Sequence, residues 1–445
     1  MSHASKLFTS IARQLADNIP LIRHHICDAI SNCKDIASQS YRDQWSQLIL
    51  YPLSKLHSSS SVPPYILVID ALDECDKDEH IRIILQILSE ASTLKTARLR
   101  VFLTSRPEIP IRHGFLQIPD TDHLDFILHN ISPSIIDHDI NVFVRYNLNA
   151  IAKDCFLTAG WPGEQIIDRL VCNAGGLFIW AATACRFIRE GKRFAAKRLD
   201  MILGSSSITA NAPEKYLNDI YLTVLRNSIS LDYTADEVTE LCNMLKKFLG
   251  SIVTLFSPLS TQALGRLLDT SAQEVDQILD DLHAILDIPK DRTCPLRLHH
   301  PSLRDFLLNE ERCSDSNFQV DEKQAHQVLA DHCIQLMSIS LQRDVCMQRA
   351  PGRTVAEVES CQINECLPPE VQYACLYWVQ HLQKSNSRPL DGGQVHEFIR
   401  AHLLHWLEAL GWMGKTSDGL LAIYSLEALI PVRLSHDLEN QELIF

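Results

Sequence analysis

The sequence predicts an α/β N-terminal part, built on an incomplete parallel sheet, followed by mostly α-helical domains. Three observations carry this. A continuous apolar run, "YILVI" at 65–69, ends on Asp70. A second run, "LRVFLTSR" at 99–106, follows after one helical stretch. Beyond residue 139 strand-like runs nearly vanish and helical periodicity takes over. A chain of 445 residues exceeds one ordinary core, so several domains are expected. The pattern divides it at 1–130, 131–230, 231–312 and 313–445.

Residues 1–60 read as helices that end in the loop "HSSSSVPP". "YILVI" is then bounded by Pro64 and Asp70, as expected of a strand buried on both faces. "DEHIRIILQILSEAS" places Ile81, Ile84 and Leu88 on one helical face. With the second run, stopped by Pro107, this makes a βαβ crossover whose strands should be parallel neighbours. "DHLDFIL" at 122–128 alternates and is expected to extend the sheet near an edge.

In the helical remainder, Gly175–Gly176 should separate or bend two helices, because glycine is costly inside one. Ser260 and Ser271 look like helix caps. Three helices followed by a hairpin-like pair around "IPKDRTCPLRL", then "HHPSLRDFLL", have the pattern of a winged helix. Trp378, Trp406 and Trp412 are expected core anchors of the C-terminal helices.

The chemistry concentrates at the strand ends, where side chains leave the buried layer of a parallel sheet. Asp70 is the first residue past its strand, placed to hold a magnesium ion that bridges phosphate oxygens. Asp73 and Glu74 lie one turn on, where a carboxylate could orient or deprotonate a water. Arg106 leaves the neighbouring strand at the same edge, where a guanidinium could sense a terminal phosphate. The plainer alternative is that these acids cap the following helix and that Arg106 pairs with one of them.

"YILVIDALDECDKDEHIRIILQIL" followed by "RVFLTSRPEIPIRHGF" resembles the NACHT family of signalling NTPases, in particular the fungal nephrocystin-3-like group. The likeness continues through "NAGGLFIWAATACRFI", "LRLHHPSLRDFLL", "LPPEVQYACLYWVQHL" and "HEFIRAHLLHWLEALGWMGKTSDGLLAIYSLE", which is nearly the whole chain. The resemblance implies a sheet of the P-loop-NTPase type, with Asp70 as the Walker B metal-coordinating acid. It implies Asp73 and Glu74 as the additional acids of the NACHT version and Arg106 as the sensor arginine. His300, in "HHPS", matches the segment from which such proteins reach back towards nucleotide. Either it or His299 could equally be a hydrogen-bonded residue of the wing.

The departure from the family is the P-loop, G-x-x-x-x-G-K-[ST], which the sequence does not contain. The pattern nearest to it, Gly414-Lys415-Thr416, has Ala409 where the first glycine belongs and a helix before it. Without backbone N–H groups and a lysine on the phosphates, the 445-residue polypeptide is expected neither to bind nor to hydrolyse ATP appreciably. Intact relatives would use ATP or GTP with magnesium. The expectation is therefore a truncated, NACHT-type signalling remnant acting as a regulatory or scaffold protein. A non-catalytic interaction module, or an incomplete reading of an active ATPase, are the alternatives.

Composition narrows the partners. The formal charge of 41 − 55 = −14 argues against nucleic acid or acidic membranes. The helix that would read DNA, "SAQEVDQILDDLHAIL", carries no lysine or arginine. No apolar run reaches 18 residues. Fourteen scattered cysteines without a CxxC pair fit a reduced, cytoplasmic chain. Protein partners or self-association are the expected interactions.

Overall fold

The computed structural model describes residues 6–33, 35–56, 65–75, 78–93, 99–119, 121–158, 160–205, 213–229, 232–347 and 360–429. They form two compact units, Met1–Asn130 and Ile131–Phe445. The expected loop "HSSSSVPP" at 57–64 lies outside the described residues.

The first unit runs α1 (Leu7–Asn18), α2 (Pro20–Asn32), α3 (Tyr41–Trp45), α4 (Tyr51–Ser54), β1 (Tyr65–Ile69), α5 (Asp78–Ser89), β2 (Leu99–Leu103) and α6 (Ile109–Phe115). β1 and β2 are parallel neighbours, in register from Tyr65↔Leu99 to Ile69↔Leu103, as the βαβ pattern requires. α5 buries Ile81, Ile84, Leu85 and Leu88 on one stripe, matching the apolar spacing in its sequence. Each such side chain taken from water stabilises by roughly 1.5–3 kcal/mol. The same core holds Phe8 against Trp45, ring centres 5.5 Å apart, beneath Ile49 and Leu53. A methyl group at Gly114 would overlap the tip of the Leu85 side chain, which would have to turn aside for it.

Two strand expectations are corrected. β1 is buried on one face only: Ile66 and Val68 are 65% and 62% exposed, and Phe102 of β2 is 59% exposed. Helices cover only the face of Tyr65, Leu67, Leu99, Val101 and Leu103, which pack on the core. A continuous apolar run does not reveal which face will find a cover. Residues 122–127 form no strand, and Leu124 and Phe126 are 96% and 78% exposed. Residues 123–127 run instead without regular structure into the short 3-10 turn Leu128–Asn130. Alternation shows compatibility with a pleat, whereas a strand also needs a partner edge.

The second unit begins with α7 (Pro133–Asp154), α8 (Glu164–Ala174), α9 (Phe178–Glu190), α10 (Ala195–Ser205) and α11 (Pro213–Asn227). Gly175 ends α8 in the left-handed region at φ 53°, followed by Gly176 at φ 80°. The glycine pair is thus a helix stop. Next come α12 (Ala235–Thr254), α13 (Thr261–Leu267), α14 (Ala272–Leu279) and the antiparallel pair β3 (Leu286–Asp287) and β4 (Arg297–Leu298). Ser260 and Ser271 cap α13 and α14 by accepting the N–H groups of Ala263 and Glu274. Thr234 with Glu237, and Ser271 with Glu274, close full capping boxes.

The unit ends with α15 (Ser302–Leu308), α16 (Glu322–Ser340), α17 (Ser360–Cys366), α18 (Pro369–Ser385), α19 (Gln394–Trp412) and α20 (Thr416–Leu429). One continuous apolar core runs from Ile140 to Leu426. Trp378 and Trp406 are its fully buried anchors, edge to face at 5.5 Å, while Trp412 packs from the margin. Gly414-Lys415-Thr416 forms the turn between two helices, not a strand-to-helix loop, and Lys415 faces Asp418 at 3.5 Å. Among the described residues no helix is long and apolar enough to cross a membrane.

Candidate functional site

The parallel register sets Ile69 beside Leu103, so the next residues, Asp70 and Thr104, leave the sheet side by side. The Thr104 N–H continues the ladder to the Ile69 carbonyl at 3.0 Å. Its hydroxyl donates to the Asp70 carboxylate and accepts the Ala71 N–H at 2.9 Å. The Thr104 carbonyl then accepts the Leu72 N–H at 3.0 Å. One threonine thereby fixes three consecutive residues after the neighbouring strand.

Ala71 adopts φ 53°, a left-handed conformation with a steric cost for a residue bearing Cβ. The three hydrogen bonds around it, and the burial of Leu72, hold the chain in this sharp turn. The turn aims the single 3-10 turn Leu72–Glu74 back across the strand ends. Asp73 is consequently inward and Glu74 exposed.

Asp73 is the most occupied member of the cluster. Its side chain is 8% exposed, and its Oδ2 lies 3.5 Å from the Arg106 Nε. Its Oδ1 accepts the Arg106 backbone N–H at 2.9 Å and the Ser105 hydroxyl at 3.2 Å. The carboxylate is a staple between the two post-strand loops, matching the plainer reading in which Arg106 pairs with an acid. Asp70, by contrast, is exposed, with Thr104 its hydroxyl donor.

Hard oxygen donors of this kind suit magnesium, which keeps several waters and takes one or two carboxylates alongside phosphate oxygens. Asp70 and the Thr104 hydroxyl are the oxygens that would face such an ion. Among the described residues no three His, Cys, Asp or Glu side chains converge into a metal cage.

Of the predicted residues, Asp70, Asp73 and Arg106 gather at the strand ends, with Glu74 beside them. His300 belongs to the second unit. There its Nδ1 accepts the Ser302 N–H at 3.1 Å and meets the Ser302 hydroxyl at 2.7 Å. That hydroxyl also meets Tyr221 Oη at 2.8 Å, so His300 helps shape the start of α15. The His299 Nε2 is bound to the His283 carbonyl at 3.0 Å. Sequence reasoning passed over Thr104 and Ser105. Their signal was present in "LTSR": short hydroxyl residues directly after one strand, opposite the acid that follows the other.

Two comparisons bear on this site. Residues 1–106 match the family model described as nephrocystin 3, N-terminal, a span that holds both strands and all four strand-end residues. The chain is also 25% identical over 391 residues to the vegetative incompatibility protein HET-E-1 of Podospora anserina, covering 82% of this chain. The matched region spans 26% of that relative's length. On both counts the chain is similar to fungal NACHT-like proteins, and its similarity to the nephrocystin 3 N-terminal model lies within residues 1–106.

Proposed function

We propose that this protein is a NACHT-type signalling protein that works as a regulatory or scaffold element and, as the 445-residue polypeptide, does not turn over ATP. The observation that carries this reading is the engagement of Asp73. With two hydrogen bonds on Oδ1 and the Arg106 guanidinium beside Oδ2, it is spent on joining the loops and is not a base waiting for water. Asp70 keeps the position of a metal-coordinating acid, with Glu74 beside it, but the sequence supplies no G-x-x-x-x-G-K-[ST] cradle for the phosphates. Several charge-assisted phosphate contacts, each worth about 1.5–3 kcal/mol, are then missing from any nucleotide complex.

On this reading the helices α12–α14 with the β3–β4 ribbon are a winged helix, as their order and caps suggest. The working partners are other proteins or further copies of the chain, in the cytoplasm. Nucleic acid is not a partner, given the net charge of −14. The name of the fungal relative suggests a part in vegetative incompatibility here too.

The test is equilibrium binding of a non-hydrolysable ATP analogue to the purified chain, with and without magnesium. No saturable binding up to millimolar analogue is expected. Tight, magnesium-dependent binding that Asp70→Asn abolishes would overturn the proposal.

A further inference from the structure

Deep in the second unit, four residues form an unbroken hydrogen-bonded row. The Phe256 N–H, in the turn after α12, donates to Tyr373 Oη at 3.2 Å. Tyr373 Oη meets His381 Nε2 at 2.7 Å. His381 Nδ1 meets His326 Nδ1 at 2.7 Å. His326 Nε2 faces the Glu322 carboxylate at 3.9 Å. His381 is 0% exposed and His326 2%. Phe256 lies against both imidazoles, with ring centres 4.6 Å from His381 and 5.7 Å from His326.

Only one proton assignment uses every group. Tyr373 accepts from Phe256 and donates its own hydroxyl proton to His381 Nε2. His381 then carries its proton on Nδ1 and donates it to His326 Nδ1, leaving the His326 proton on Nε2, towards Glu322. The reverse direction would leave the buried tyrosine hydroxyl with no acceptor. The row therefore works only with both imidazoles neutral. A single further proton is accommodated at the 2.7 Å contact only by taking the acceptor from the buried tyrosine hydroxyl, and a second sets two N–H groups against each other there.

We propose that His326 and His381 are an acid-sensitive latch that fastens the turn after α12 to the α16–α18 pair at neutral pH and releases it on acidification. The surroundings favour the neutral rings. Arg304 of α15 and Lys384 of α18 act against a positive charge on His326, and Glu322 of α16 acts for it. Glu322 is shared with Arg304 at 3.4 Å. The remaining titratable neighbours of the row, Tyr377 and Cys333, sit beside Tyr373. Burial pushes His326 down to about 4 and His381 well below the ordinary imidazole range.

The sign follows from proton counting. Below the ordinary value of 6.5 the released form binds protons that the latched form refuses. The latch is thus complete above that value and weakens as pH falls towards 4. At one pH unit below the ordinary value, release is favoured by about tenfold per histidine.

Hydrogen exchange of the Phe256 amide in the full chain, corrected for the intrinsic rate, reads the latch locally between pH 7.5 and 5.5. Protection is expected to fall by about tenfold or more in the wild type. The variant His326→Asn with His381→Gln keeps acceptors in both places but cannot titrate, and should flatten the profile. Unchanged wild-type protection, or a variant with the wild-type profile, would overturn the latch. Should the variant not fold, an NMR titration of the wild-type imidazoles decides. Neutral rings down to pH 5.5 with the assigned tautomers support the latch, and ordinary titration without loss of Phe256 protection refutes it.

Discussion

Arg266 of α13 holds the carboxylate of Glu370, at the start of α18, at 2.8 Å. The two residues differ in setting: the Glu370 side chain is 4% exposed and that of Arg266 is 54% exposed. Removing the outer partner strands a charge indoors, whereas removing both leaves only apolar space to fill. This pair fastens the α12–α14 region to the C-terminal helices on the opposite principle to the neutral histidine row.

Arg266→Ala should therefore destabilise the second unit by about 3 kcal/mol, from the cost of an uncompensated buried carboxylate. The double variant Arg266→Met, Glu370→Met should recover most of that loss. Urea melts of the single and double variants form the cycle that checks it. Equal losses in the single and double variants would show that packing, and not charge, explains the pair.

At the strand ends, Asp73→Asn should cost about 1–3 kcal/mol, since the amide loses the charge facing Arg106 and puts either an N–H₂ group towards that guanidinium or one in place of the accepting Oδ1. Glu74→Gln, on an exposed side chain, should stay within about 0.5 kcal/mol. Denaturant unfolding of both variants, followed at Trp45 in the same core, distinguishes the staple from its neighbour. A silent Asp73→Asn would return Asp73 to the role of a free acid.

A second pH effect runs against the histidine latch. Burial raises Glu190 to about 7, with Arg198 and Arg186 only partly offsetting it. Its Oε2 is buried without a hydrogen-bond partner among the described residues, the Arg198 Nη1 standing 3.8 Å away. Because the folded value lies above the ordinary 4.5, the folded chain holds a proton that the unfolded chain gives up. The stability this contributes is fully present below 4.5 and is lost as pH rises through about 7. Glu190→Gln should therefore raise the thermal midpoint at pH 8 relative to wild type and change it little at pH 5. A midpoint gain of equal size at both values would refute the titration.

Much of this protein was legible in one dimension. The parallel partnership of residues 65–69 and 99–103 followed from two apolar runs with a helix between them. The stripe of α5, the Gly175 stop and the Ser260 and Ser271 caps are local devices. Each is decided by residues within a turn or two of one another, so their sequence spacing states them directly. The absence of a phosphate-cradling motif is likewise a property of the string of residues.

Tertiary structure decided what depends on pairing across long separations. It left Ile66, Val68 and Phe102 on an uncovered face and residues 122–127 unpaired with either edge of the two-stranded sheet. It spent Asp73 on Arg106 and Ser105, 32 or 33 positions away, and brought in Thr104 as the residue that organises Asp70. It also set His326 against His381 across 55 positions. An apolar run or an acid after a strand announces what a residue can do. Which of its groups remain available is settled only when packing assigns each donor, acceptor and apolar face a partner, because burial penalises those left without one.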